Sequence, residues 1–166
     1  MSHPIVQKVR AAGVVGAGGA GFPTHVKLNA KADTFLVNSV ECEPLLYKDK
    51  ELMRLQAARM VEGLRLAMDA TGAARGIIAL KAKAHDAIAA LEPHMMGPLS
   101  LHPLDNYYPA GDEYCVVYEC TGRVIPAGGI PLQVGCVVSN TESLVNVALA
   151  DQGLPVVTET AFEDMQ

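Results

Sequence analysis

The chain has 166 residues, half of them hydrophobic and 19% charged, with a formal net charge of −5. That length suits a single domain burying roughly two-thirds of its unfolded surface. The acidic balance without a Lys/Arg cluster excludes nucleic-acid binding, no apolar run approaches the roughly 20 residues of a membrane span, and no hydrophobic secretory segment opens the chain, so it reads as cytoplasmic.

Ser2 and Pro4 open a short helix through Ile5, Val6 and Val9 that Gly13 ends. A glycine-rich loop follows, and then a short helix from Pro23 to about Ala30. Thr34–Asn38 is a buried strand, and Asp49–Ala70 a long amphipathic helix without internal proline, closed by Gly72. Gly76–Leu80 is a second strand and Ala84–Leu91 the next helix. Leu99–Leu104 is a third strand, with Pro103 marking an edge or an end. Gly111–Glu119 reads as a helix and Gly135–Ser139 as a fourth strand, after which Asn140 or Thr141 caps a helix reaching about Asp151. Strands alternating with helices predict an α/β fold: a Rossmann-like parallel sheet of about four strands flanked by helices. The domain is expected over residues 1–154. Residues 155–166, with their strand-like Val156–Thr160, read as the start of a missing region or as a disordered tail.

The densest signal is the loop itself, where five of the nine residues 13–21 are glycine. A turn needs one or two glycines; this density implies close backbone approach to a ligand or several positive φ angles. Successive N–H groups there form an anion cradle, and a helix starting at Pro23 aims its positive end into it. Gly16-Ala-Gly-Gly-Ala-Gly21 matches G-x-G-x-x-G, but that fingerprint leaves a strand, and only Val14-Val15 precede it here. A dinucleotide-binding dehydrogenase domain therefore stands as an alternative needing a strand before Gly16 and a ribose-binding acid, for which Asp33 is the candidate. A non-catalytic interaction module is a second alternative, against which the undegraded loop counts.

Ligands in parallel sheets sit beyond the strand C-termini, where three polar clusters fall: residues 38–43, 108–113 and 139–142. Asn38, Glu41 and Glu43 follow the first strand, with Pro44 fixing the exit. With Asp112 and Glu113 they are expected to crowd four carboxylates at the mouth of the sheet and raise their pKa values. No D-x-D pattern supports a magnesium site. Lys27 reaches back to an anion or lies on the surface; Phe22 and Tyr108 stack on a ring or simply pack. His25 reads as exposed. Cys42, Cys115, Cys120 and Cys136 form no C-x-x-C pair and should be reduced, with Cys136 buried; no metal or cluster is expected in this chain.

Gly16-Ala-Gly-Gly-Ala-Gly-Phe-Pro-Thr followed by Lys27 resembles the flavin loop of the NADH-oxidising subunit of respiratory complex I and of the RnfC component of the Rnf electron-transport complex. Asn38…Glu41-Cys-Glu-Pro44, Tyr108…Gly111-Asp-Glu113 and Ser139-Asn-Thr-Glu142 match that family's next motifs in order. The similarity is greatest to the cobalamin reductases of propanediol-utilisation microcompartments, over roughly residues 5–158. It implies a domain that binds FMN, accepts hydride from NADH and passes single electrons to iron–sulfur centres, ultimately for corrinoid reduction or Rnf-like transport. Gly16, Gly18, Gly19 and Gly21 would line FMN, with Lys27 and Asn38 near its ribityl-phosphate and ring. Ser139, Asn140 and Thr141 would close the site, with Phe22, Glu41, Tyr108, Gly111 and Asp112 completing the cofactor set. Glu43 and Glu113 would face the incoming nicotinamide nucleotide. A [4Fe-4S] centre is expected only in the missing C-terminal part, which in the family carries C-x-x-C-x-x-C. Implied partners are NADH and a downstream iron–sulfur or corrinoid protein, then a microcompartment shell or adenosyltransferase; the microcompartment lumen is the implied alternative location. The chain departs from the complex I pattern at Val40, where an acid stands, at Ser139, where a second asparagine stands, and at residues 126–131, which follow the Rnf-like branch.

Overall fold

The computed structural model describes residues 2–43 and 45–156; Pro44, and the strand-like reading from Val157 onward, lie outside the described residues. Elements follow the expected order: α1 (Pro4–Ala11), α2 (Thr24–Leu28), β1 (Thr34–Ser39), α3 (Lys48–Thr71), β2 (Arg75–Lys81), α4 (His85–Leu91), β3 (Leu99–Leu104), α5 (Glu113–Thr121), β4 (Cys136–Asn140) and α6 (Thr141–Asp151). Short 3-10 turns at Glu92–His94 and Pro131–Val134 were not anticipated.

All four strands are parallel in the order β3-β2-β1-β4. The chain builds outward from β1 to β3 and then returns to place β4 on the other side of β1. The switch point, where a parallel sheet opens its ligand crevice, therefore lies between β1 and β4. Their register sets Asn38 opposite Asn140. Pro103 is exposed on β3, an edge strand where the missing N–H costs no ladder bond.

Burial on both faces explains the continuous apolar runs. Phe35 and Val37 face a core shared with α1, α3 and α6, through Val9, Met60, Leu64 and Leu144. Leu36 faces the opposite way, with Ile77, Cys136 and Val138, against Val117 of α5. Met53, Ala57, Met60, Val61, Leu64 and Met68 give α3 its buried stripe at helical spacing. Gly72, at φ 75°, ends that helix in the left-handed conformation glycine adopts freely. The expected single helix is interrupted at Gln56, whose φ of −125° is non-helical; no glycine or proline there announces the break.

α6 is buried on every side, with Leu144, Val147 and Ala148 enclosed. α3 crosses it at Gly63, where a Cβ would collide with the Leu144 carbonyl oxygen and come within 2.7 Å of its carbon. Backbones thus touch where α6 begins, which fixes the height at which it presents its first turn to the crevice.

Candidate functional site

The glycine loop precedes β1. Val15 and Pro23 close it by an isolated antiparallel bridge, with Gly16 N–H donating to Phe22 O at 2.8 Å and Thr24 N–H to Val14 O at 3.1 Å. Residues 13–24 thus lack the strand-turn-helix geometry of a dinucleotide fingerprint, which removes the structural basis of the dehydrogenase reading. Gly19 and Gly21 have φ of 93° and 58°, so glycine is required there by conformation. Gly18 is not in that region, and a Cβ on it would meet only Asn140 Cβ, at 3.9 Å. Not every amide of the loop points outward: Ala17 N–H donates to Ser143 Oγ at 3.0 Å.

Two adjoining chambers open beyond β1 and β4. The first, about 380 Å³, is lined by Gly16, Gly18, Phe22, Lys27, Glu113 and Ser139. The second, about 470 Å³, is lined by Gly19, Glu41, Glu43, Asp49 and Tyr108. Gly18, Asn38, Gly111, Asp112 and Asn140 line both. These volumes fall in the range of small-molecule and cofactor sites. Of the expected residues, Gly21 and Thr141 line neither chamber. Thr141 is fully buried and donates to Ser39 Oγ at 2.7 Å, fastening α6 to β1.

Lys27, Asn38, Asp112 and Asn140 have structural duties as well. Lys27 is pulled below its ordinary pKa by burial, while Glu113 pulls it back up. Its Nζ donates to Val138 O at 2.9 Å; an ammonium has three donors, so a ligand anion can be bound as well. Asn38 holds Gly111 by donating Nδ2 to its carbonyl at 2.8 Å, and Cys42 Sγ accepts the Gly111 N–H at 3.2 Å. A Cβ at Gly111 would stand 2.7 Å from Val40 O, so this clamp admits only glycine. Asp112 is the N-cap of α5, accepting from Tyr114 N–H at 3.0 Å and Cys115 N–H at 3.3 Å. Asn140 caps α6, its Oδ1 accepting from Glu142 N–H at 2.9 Å.

The four expected carboxylates gather in part: Glu41, Glu43 and Asp112 line the second chamber, while Asp112, which also caps α5, shares the first with Glu113. Glu41 is raised above its ordinary pKa, primarily by burial. It is joined by an acid that sequence reasoning missed: Asp49, raised to about 6, first by burial and further by Glu41 and Glu142, against the pull of Lys48. Lys48 Nζ pairs with Glu142 at 3.0 Å and donates to Ala17 O at 3.4 Å. Thr24 and Ser143 were also missed as lining residues. Asp49 stands in sequence only as the first residue of an amphipathic helix, and the folded chain shows its side chain and that of Lys48 buried, at 9% and 7% exposure. Among the described residues no group of three or more His, Cys, Asp or Glu is arranged to hold a metal ion, and no helix is long and apolar enough to cross a membrane.

A glycine-lined cleft carrying a lysine and two asparagines, at the switch point of a parallel sheet, defines a cofactor-binding domain of the α/β class. The chain belongs to the Nuo51 FMN-binding domain family, whose model matches residues 9–149. It is 52% identical over 160 residues to cobalamin reductase PduS of Citrobacter freundii, covering 96% of this chain and 36% of that protein. It is 40% identical to the C component of the Na(+)-translocating ferredoxin:NAD(+) oxidoreductase complex of Acetobacterium woodii, covering 87% of this chain and 34% of that one. The crystal structure of an NAD+-reducing [NiFe]-hydrogenase in the H2-reduced state superposes with a TM-score of 0.73 at 30% identity, over 88% of this chain and 30% of that chain. The chain thus spans about a third of the length of the curated relatives it matches.

Proposed function

We propose that this chain is the flavin-binding, electron-entry domain of an NADH-dependent oxidoreductase of the cobalamin-reductase or RnfC kind. The observation that carries the reading is the first chamber: side-chain-free Gly16 and Gly18 beside the Lys27 ammonium, between the opposed Asn38 and Asn140. That set suits FMN, whose ring needs a flat wall and whose ribityl-phosphate needs donors and positive charge. Bound FMN supplies the chemistry, accepting a hydride and releasing electrons singly; the protein supplies position and field. Gly16 and Gly18 would receive the ring, and Lys27 would bind negative charge. Phe22, 5.8 Å from Lys27 Nζ by its ring centroid, would shield that charge from water. Glu43, on the second chamber, would meet the incoming NADH; Glu113, on the first, would orient its nicotinamide end. Iron–sulfur centres and a corrinoid or ferredoxin acceptor would belong to protein beyond this domain.

Flavin titration of the purified chain tests the reading, followed by anaerobic addition of NADH. Quenching of FMN fluorescence and subsequent bleaching of the bound flavin are expected. Binding without bleaching would restrict the chain to holding the cofactor, and no binding would sink the proposal. For Glu113→Gln we expect FMN affinity within about threefold of wild type but NADH-driven reduction slowed about tenfold, a change of about 1.4 kcal/mol in the barrier. Equal reduction rates in stopped flow would remove Glu113 from the reaction.

A further inference from the structure

Behind the second chamber, three segments converge on the first turn of α3. Asp49 is 6% exposed. Its Oδ2 accepts from Asn140 Nδ2 at 3.0 Å, and its own N–H donates to Glu41 Oε1 at 2.7 Å. Beside it, Lys48 reaches Glu142 of α6 and the Ala17 carbonyl of the glycine loop. The first turn of α3 therefore holds the loop after β1, the glycine loop and the β4–α6 junction at once. Asn140 sits at the focus. Its oxygen is committed to capping α6, so its amide nitrogen faces Asp49, and its Cβ is the protein atom nearest the place a Gly18 side chain would occupy.

We propose that Asp49 is a positioning residue for the cleft: by holding the Asn140 carboxamide it fixes the β4–α6 junction against Gly18 and so sets the width of the cofactor chamber. The inference rests on the flavin reading for what fills that chamber, but not for the coupling itself. The arrangement is costly, which argues that it is kept for geometry. Glu41 Oε2 and Asp49 Oδ1 are buried without a hydrogen-bond partner among the described residues. Their cations stand off, Lys50 Nζ at 3.7 Å from Glu41 and Lys48 Nζ at 4.0 Å from Asp49. Replacing buried ions with apolar groups often stabilises a fold, so stability alone does not account for them.

Two variants separate hydrogen bonding from charge. Asp49→Asn keeps an oxygen for Asn140; Asp49→Ala removes it. We expect Asp49→Ala to weaken FMN binding on the order of tenfold and Asp49→Asn to stay within about threefold of wild type. Without any ligand, hydrogen exchange at the Ala17 amide should speed up about tenfold in Asp49→Ala, while Ile78 in β2 exchanges as in wild type. In wild type the Asn140 side-chain amide resonance should follow pH with a midpoint near 6, the value Asp49 takes among Glu41, Lys48, Lys50, Asn140 and Glu142; in Asp49→Asn that titration should vanish. Equal acceleration at Ala17 and Ile78, or an Asn140 resonance that ignores Asp49, would overturn the proposal. Failure of wild type to bind FMN would overturn only the flavin reading, since the exchange and titration measurements stand without ligand.

Discussion

Gly63→Ala is expected to destabilise the chain by about 3 kcal/mol or more, lowering Tm by roughly 10 °C. Alanine is the better helix former, by about 1 kcal/mol, so the change would help α3 if nothing stood beside it. What stands beside it is the Leu144 backbone, whose carbonyl oxygen and carbon a Cβ would meet at once. A flexible side chain could turn away; the first turns of a buried helix cannot. The helices must separate, and the packing of Val61 and Leu64 against Leu144 and Val145 opens with them. Because α6 carries Asn140 as its cap and Ser143 in its first turns, the same shift should weaken FMN binding. Thermal and urea denaturation check it, and an unchanged or raised Tm would refute the close-crossing argument.

Gly18→Glu should reduce FMN affinity at least about 100-fold, or about 2.7 kcal/mol, with stability within about 1 kcal/mol of wild type. Gly18 lines both chambers, has no positive φ, and has room for a Cβ beside Asn140. The folded protein therefore tolerates a side chain there, and any penalty falls on the ligand. The glutamate adds repulsion where Lys27 is placed to attract an anion. Gly18→Ala should lie between the two, narrowing the chamber without adding charge. Fluorescence titration of the three proteins measures the series; equal affinity for Gly18→Glu and wild type would place the flavin elsewhere.

Much of this architecture is legible before folding is considered. Thr34–Val37 announces a strand covered on both faces because nothing polar interrupts it, and Gly72 announces a helix end because the helical period stops there. The loop from Gly13 to Lys27 stands out because glycine density is itself a backbone statement. Other features depend on partners distant in the chain. The burial of Lys48 and Asp49 needs Glu142 and Asn140; Gly63 is one small residue on an amphipathic helix until Leu144 arrives; Thr141 reads as a site residue until Ser39 claims its hydroxyl. The four acids divide for the same reason: Glu41, Glu43 and Asp112 share the second chamber and Glu113 lines the first, a division that sequence alone does not decide.

The pairing of β4 with β1 also bears on how the domain is made. Ser39 and Thr141, which join the two strands' ends, are 102 positions apart. Strands β1, β2 and β3 are laid down in succession and can pair as they emerge, but half of the cleft's rim arrives only with β4. Non-local pairings close late, because the loop between them must first be ordered. A cofactor that needs both sides of the cleft would then wait on synthesis: a ribosome-bound nascent chain that has not yet released β4 offers the glycine loop and the end of β1 but not the opposite rim, Ser139, Asn140 and Ser143.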